Sequence, residues 1–329
     1  MSQHSNSDFQ RGVANLLSCL GGVHNESVGI LIDPGTDDLL RVETERVLRA
    51  EGARTRVVEL PASEGTDAEV PATAAAQLEG LDAVVEITAV SVRHSQARQD
   101  LQQAGTRYLY VGSPPPHLFD GTGAMYADFP AHRQRIEHLA DRVTAGSIMQ
   151  ITTTRGTDLA IDLGGRSGRA LTGMADRAGQ FGTPPCLEWG LVPSLAGTTG
   201  QLIADAYGVG LGLLSEPIHA RIENGRMVHI AEGHEGQRLS DLLESAHTPH
   251  AYQVSEVGVG MNPEAQMIDD MMSAEAVLGT AHIAVGTTPA DPGVERVQAG
   301  LHIDLVFWHP TITIDGDVVM EEGRLVAEQ

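Results

Sequence analysis

The chain has 329 residues, 41% of them hydrophobic and 37 of them glycine, enough for one large or two ordinary domains with a sizeable core and many turns. With 44 acidic against 21 basic residues its formal net charge is −23, which argues against a nucleic-acid partner, because phosphate binding needs a basic footprint. No run approaches 18 apolar residues, the N-terminal stretch lacks the pattern of a signal peptide, and only Cys19 and Cys186 are present. These features predict a cytoplasmic protein without a membrane span or a disulfide framework.

Along the first half, strand and helix signals alternate. "SVGILID" (27–33) is a short apolar run closed by Pro34 and Gly35, and "DDLLRVETERVLRAEGA" follows with helical spacing and a stop at Gly52. "RTRVVELPA", "GLDAVVEITAV" and "GTRYLYVGS" read as further strands, with "HSQARQDLQQA" as a helix between the last two. "ADFPAHRQRIEHLADRVTAG" then reads as a helix ending at Gly146. Such alternation predicts a parallel sheet covered on both faces, a Rossmann-like α/β domain over residues 1–146.

From residue 147 to 329 the pattern changes to an α+β domain rich in antiparallel strands. Strand pairs are expected about Arg155-Gly156, Asn224-Gly225 and Asp315-Gly316, the last two being strong hairpin signals. "GQRLSDLLESA" and "NPEAQMIDDMMSAEAVLG" read as helices. The loops 113–130, 176–200 and 287–299 are rich in Gly, Pro and polar residues and are expected to set substrate specificity.

Several common motifs are absent. There is no GxxxxGK[ST] phosphate loop, "GVGLGLL" lacks the last glycine of a dinucleotide fingerprint, and "GGRSGRA" does not satisfy G-x-S-x-G. The N-terminal units therefore read as scaffold. Metal ligation is the better lead. In "AGLHIDLVFWHP" (299–310), strand alternation puts His302, Asp304 and Val306 on one face, with Ile303 and Leu305 on the other. An imidazole and a carboxylate so placed are either a hydrogen-bonded pair or two ligands of one metal. Glu188 in "PPCLEWGLVP", Glu256 in "VSEVGVGMNP" and His282 in "LGTAHIAVG" are likewise lone polar groups in apolar runs, costly to bury unless paired or metal-bound. The remaining histidines, among them His219, His229, His247 and His250, read as solvated.

These stretches carry a family resemblance. "SEVGVGMNPEA", then "LGTAHIAVG", then "HID" ahead of a DG hairpin, resembles the M29 metallo-aminopeptidases of the aminopeptidase T and S group. The resemblance implies that Glu256, His282, His302 and Asp304 are metal ligands, and the spacing of "EWGLVP" nominates Glu188 as a fifth. Over nearly the whole chain, and in length, the sequence also resembles the 2,5-dihydroxypyridine 5,6-dioxygenases, non-haem iron enzymes of the same ancestry. Those enzymes have a histidine where this chain has Glu256 and lack the one seen here as His282. The aminopeptidases, in turn, have a functional tyrosine where this chain has Pro289.

Five ligands favour a dinuclear metallohydrolase of a small amide or short peptide, with Zn, Mn or Co. In that reading Glu256 bridges, His282, His302 and Asp304 terminate, and Glu188 is a further ligand or the general base. The alternative is a single iron(II) held as a facial triad in a ring-cleaving dioxygenase. A third reading is a non-catalytic relative that binds a small ligand. Homo-oligomerisation is an expectation of the resemblance.

Overall fold

The computed structural model describes residues 3–63, 68–289 and 294–326. The chain forms two compact units. The first comprises residues 1–131 together with 171–185, and the second residues 132–170 together with 186–329.

In the first unit the alternating signals become a five-stranded parallel sheet, in the order Arg54–Glu59, Ser27–Ile32, Ala83–Glu86, Arg107–Tyr110, Phe181–Gly182. Ile30 sits between Val57 and Val85, deep in the core. The helix Asp38–Ala50 starts where the Asp37 carboxylate accepts hydrogen bonds from Leu39 N and Leu40 N, and buries Leu40, Thr44, Val47 and Leu48. It is followed by Gly52, whose φ of 89° suits a residue without a Cβ. The helix Gln96–Gln103 is capped likewise by Ser95. An N-terminal helix, Gln3–Ser18, buries Phe9, Val13, Leu16 and Leu17, an i, i+4, i+7, i+8 apolar stripe.

The second unit holds two antiparallel sheets. The larger runs Arg226–Ile230, Ile218–Glu223, Thr198–Ala204, Asp158–Asp162, Ile148–Thr152, Thr311–Ile314, Asp317–Glu321, Arg324–Leu325. Its residues alternate strictly in several strands, with Met149, Ile151, Leu159, Ile161, Ile218, Ala220 and Ile222 turned inward. Asn224-Gly225 (φ 48° and 73°) and Asp315-Gly316 (φ 52° and 91°) form the expected hairpin turns. The smaller sheet runs Gly212–Leu213, Tyr207–Gly208, His302–Trp308, Thr280–Gly286, Val254–Gly260, Glu188–Leu191, Arg169–Leu171. The strands Thr280–Gly286 and Val254–Gly260 are buried along their whole length.

Three expectations need correction. A single boundary at residue 146 does not describe the units, because Phe181–Gly182 returns to pair in parallel with Arg107–Tyr110, while the first unit ends at residue 131 inside the helix Phe129–Ala145. The stretch 176–200 is not one loop, since it supplies a strand to each unit. The helix expected over 262–279 shrinks to Met271–Ala274, because the Asn262 side chain accepts from Glu264 N and Ala265 N and locks a turn instead. Residues 290–293 of the loop 287–299 lie outside the described residues. No helix among the described residues is long and apolar enough to cross a membrane.

Candidate metal centre

Four strands of the smaller sheet deliver the five polar residues singled out in the sequence. In an antiparallel ladder, residues directly opposite each other point to the same face. His282 lies opposite Val306 on one neighbouring strand and Gly258 on the other. Ala284 lies opposite Asp304 and Glu256, Gly286 opposite His302, and Gly260 opposite Glu188. All five side chains therefore share one face.

Two local features make this possible. The ladder slips between Val254 and Glu256, so Ser255 is the extra residue of a bulge and Glu256, rather than Ser255, stands in the Asp304 row. At Gly258 a Cβ would lie 2.3 Å from His282 Nε2 and 2.6 Å from Glu188 Oε1, so the missing side chain is the space those two groups occupy.

One ligand atom from each of Glu256, His302 and Asp304 falls within 4.8 Å of the other two. His302 Nε2 is 3.4 Å from Glu256 Oε2 and 3.3 Å from Asp304 Oδ1. His282 Nε2 adjoins the cluster, 3.7 Å from the same Asp304 oxygen and 3.9 Å from Glu188 Oε2. Glu188, Glu256, His282 and Asp304 are all buried, so the carboxylates among them need local compensation.

The titration shifts follow from that burial. Burial raises Glu188 to about 7, only partly offset by His282. Burial also works against ionised Glu256, yet the Arg169 guanidinium and then His302 outweigh it and bring Glu256 to about 2. Asp304 is likewise held below the usual carboxylate range, by His302 and then His282, against the cost of burial. Burial alone would lower His302, but Asp304 and Glu256 lift it well above an ordinary imidazole. With no metal bound, a proton on His302 does the work of a cation between two carboxylates.

The donors fit a divalent ion. His302 Nδ1 lies 2.7 Å from Thr287 O and donates to it, which orients the ring so that Nε2 faces Glu256 and Asp304 and, once deprotonated, is the nitrogen that can ligate. Asp304 Oδ1 is fully buried with no hydrogen bond of proper geometry, though both imidazoles stand within ion-pair range. Imidazole nitrogens and carboxylate oxygens are the donor set of borderline divalent metals. His219, His229, His247, His250 and His309 are exposed, and there is no second cluster of this kind among the described residues.

Sequence reasoning missed Arg169, whose guanidinium pairs with Glu256 Oε1, and the structural roles of Gly258 and Thr287. No local pattern marks Arg169, because its partner lies 87 residues away. It also missed Tyr207. This residue lies opposite Val306 on the ligand-bearing face, with its phenol raised to about 12 by burial and then by Glu275.

Comparison with known proteins places the whole chain in a family and a fold. A curated 2,5-dihydroxypyridine 5,6-dioxygenase of Pseudomonas putida is 24% identical over 264 residues, covering 77% of this chain and 73% of that protein. The solved structure of the 2,5-dihydroxypyridine dioxygenase from P. putida KT2440 superimposes with a TM-score of 0.85 at 22% identity, over 98% of both chains. Wild-type AmpT from Thermus thermophilus shares the fold more loosely, with a TM-score of 0.68 at 17% identity over 98% of this chain and all of that one. The family profile described as NicX, 2,5-dihydroxypyridine 5,6-dioxygenase, matches residues 26–327. By that near-complete match the chain belongs to the 2,5-dihydroxypyridine 5,6-dioxygenase family.

Proposed function

We propose that this chain is a mononuclear non-haem iron(II) dioxygenase that opens a small hydroxylated aromatic ring of the dihydroxypyridine kind. Glu256, His302 and Asp304 are its iron ligands. The observation that carries the reading is the mutual approach of those three donors within 4.8 Å on one sheet face, in a chain of this family. Iron(II) bound there would supply the redox chemistry that activates dioxygen, and it would be held by one imidazole and two carboxylates, where the usual non-haem set has two imidazoles and one carboxylate. Within the protein, Glu256 and Asp304 provide the negative charge that retains a dication, and Thr287 O keeps His302 in its ligating tautomer. Glu188, at about 7, can hold or release a proton near neutral pH and is the acid–base candidate of the site.

A second reading, the dinuclear hydrolase, is favoured by one specific observation. His282 and Glu188 form a buried pair beside Asp304 Oδ1, whose oxygen stands between the two imidazoles. Metal content separates the two. After anaerobic reconstitution, about one iron per chain with dioxygen uptake on a dihydroxypyridine supports the dioxygenase, and His302→Ala should abolish both. Two Zn, Mn or Co per chain with cleavage of small amides or peptides would replace it with the hydrolase. Absence of any bound metal would leave the ligand-binding relative.

A further inference from the structure

Glu256 divides its two carboxylate oxygens between different partners. Oε1 is taken by the Arg169 guanidinium, while Oε2 faces His302 Nε2 at 3.4 Å, inside the ligand cluster. Arg169 lies on the edge strand Arg169–Leu171, two strands from the one bearing Glu256. The Arg169 side chain is 21% exposed and that of Glu256 10%, so the pair sits where solvent screens it poorly. A carboxylate with both oxygens free can clasp a divalent ion with two bonds; one whose second oxygen is claimed by a guanidinium has a single oxygen to offer.

We propose that Arg169 is the positioning residue of the centre: by occupying Oε1 it restricts Glu256 to one metal bond through Oε2. It thereby keeps a coordination position open for substrate or dioxygen that a chelating Glu256 would fill. Arg169 acts through Glu256 and touches no reacting atom. The inference rests on the reading of Glu256, His302 and Asp304 as metal ligands.

The test uses Co(II) as a spectroscopic probe in the full chain, comparing the wild type with Arg169→Met and Arg169→Lys. In Arg169→Met, Glu256 is free to chelate, so Co(II) still binds but its visible d–d bands weaken as the coordination number rises. On the iron form kcat falls by about 10- to 100-fold, the usual cost of losing a partner that orients a ligand, with KM little changed. Arg169→Lys, which restores the charge and one donor, moves the bands back towards the wild type. Unchanged Co(II) bands in Arg169→Met, whatever its thermal midpoint, overturn the proposal. Loss of Co(II) binding in that variant overturns it too, since Arg169 would then assemble the site rather than divide the carboxylate. Failure of the underlying reading is separately visible. It would appear as a wild type that takes up no Co(II), or as His302→Ala leaving uptake unaltered.

Discussion

Gly258 shows how one residue without a side chain decides a site. Its backbone lies in regular strand, so alanine is tolerated conformationally, but the added methyl would sit 2.3 Å from His282 Nε2 and 2.6 Å from Glu188 Oε1. Gly258→Ala is therefore expected to leave the fold intact while displacing both groups. Metal affinity or turnover should drop roughly 10- to 100-fold with a near-native thermal midpoint. Metal titration and turnover beside a thermal melt check this, and a variant with both wild-type metal binding and wild-type turnover would show that His282 and Glu188 do not serve the site. The same residues show what could be read early. His302 and Asp304 are two apart in a strand, so their common face follows from backbone geometry alone. Arg169 reaches Glu256, and Thr287 reaches His302, only through long-range folding, and neither leaves a local mark.

Among the elements, the Val254–Gly260 strand depends on its bulge, since regular pairing would have put Ser255 opposite Ala284 and turned Glu256 to the other face. The parallel sheet of the first unit has its own buried acid at the end of Ala83–Glu86. Glu86 accepts from Thr88 Oγ1 at 2.9 Å and Val92 N at 2.7 Å, and Tyr108 donates to its other oxygen at 2.7 Å. Burial raises this carboxyl above its ordinary value near 4.5, despite those hydrogen bonds. The folded state therefore favours the protonated form. Stability is fullest below pH 4.5 and declines as pH rises through the elevated value, because the unfolded chain ionises first. Glu86→Gln, which keeps acceptors for Thr88 and Val92, should match the wild type near pH 4 and melt at a higher temperature at pH 8. Equal midpoints at pH 8 would mean that the buried carboxylate is fully compensated. Elements with strong local signals, such as the Asn224-Gly225 and Asp315-Gly316 hairpins, were legible in the sequence because the turn chemistry is local. The stretch 262–279 was misread because its helical spacing competes with an Asn262 side-chain turn, a contest that packing decides.

For the whole molecule, a metal that binds only the native state must raise its stability, by about 2.7 kcal/mol at a free concentration a hundredfold above Kd. The sign of the pH effect follows from His302. Its pKa without metal is lifted well above 6.5, so below that value a proton must leave Nε2 before a metal can bind. Apparent affinity then falls about tenfold for each unit of pH. At fixed Co(II) the thermal shift should be larger at pH 8 than at pH 6, and a shift independent of pH would remove His302 from the ligand set. The net charge of −23 adds attraction for cations without choosing among them.

The sequence by itself determined the alternation that makes the parallel sheet, the hairpin turns of the second unit, and the identity of five polar groups too costly to bury alone. These follow from periodicity, turn chemistry and desolvation, which act over a few residues. Only the tertiary structure decided that four strands would bring Glu188, Glu256, His282, His302 and Asp304 to one face. It also decided that a bulge would turn Glu256 inward, that Arg169 would claim one of its oxygens, and that residues 171–185 would return to the first unit. Register and strand order are set by packing between segments distant in the chain, where no local pattern carries the information.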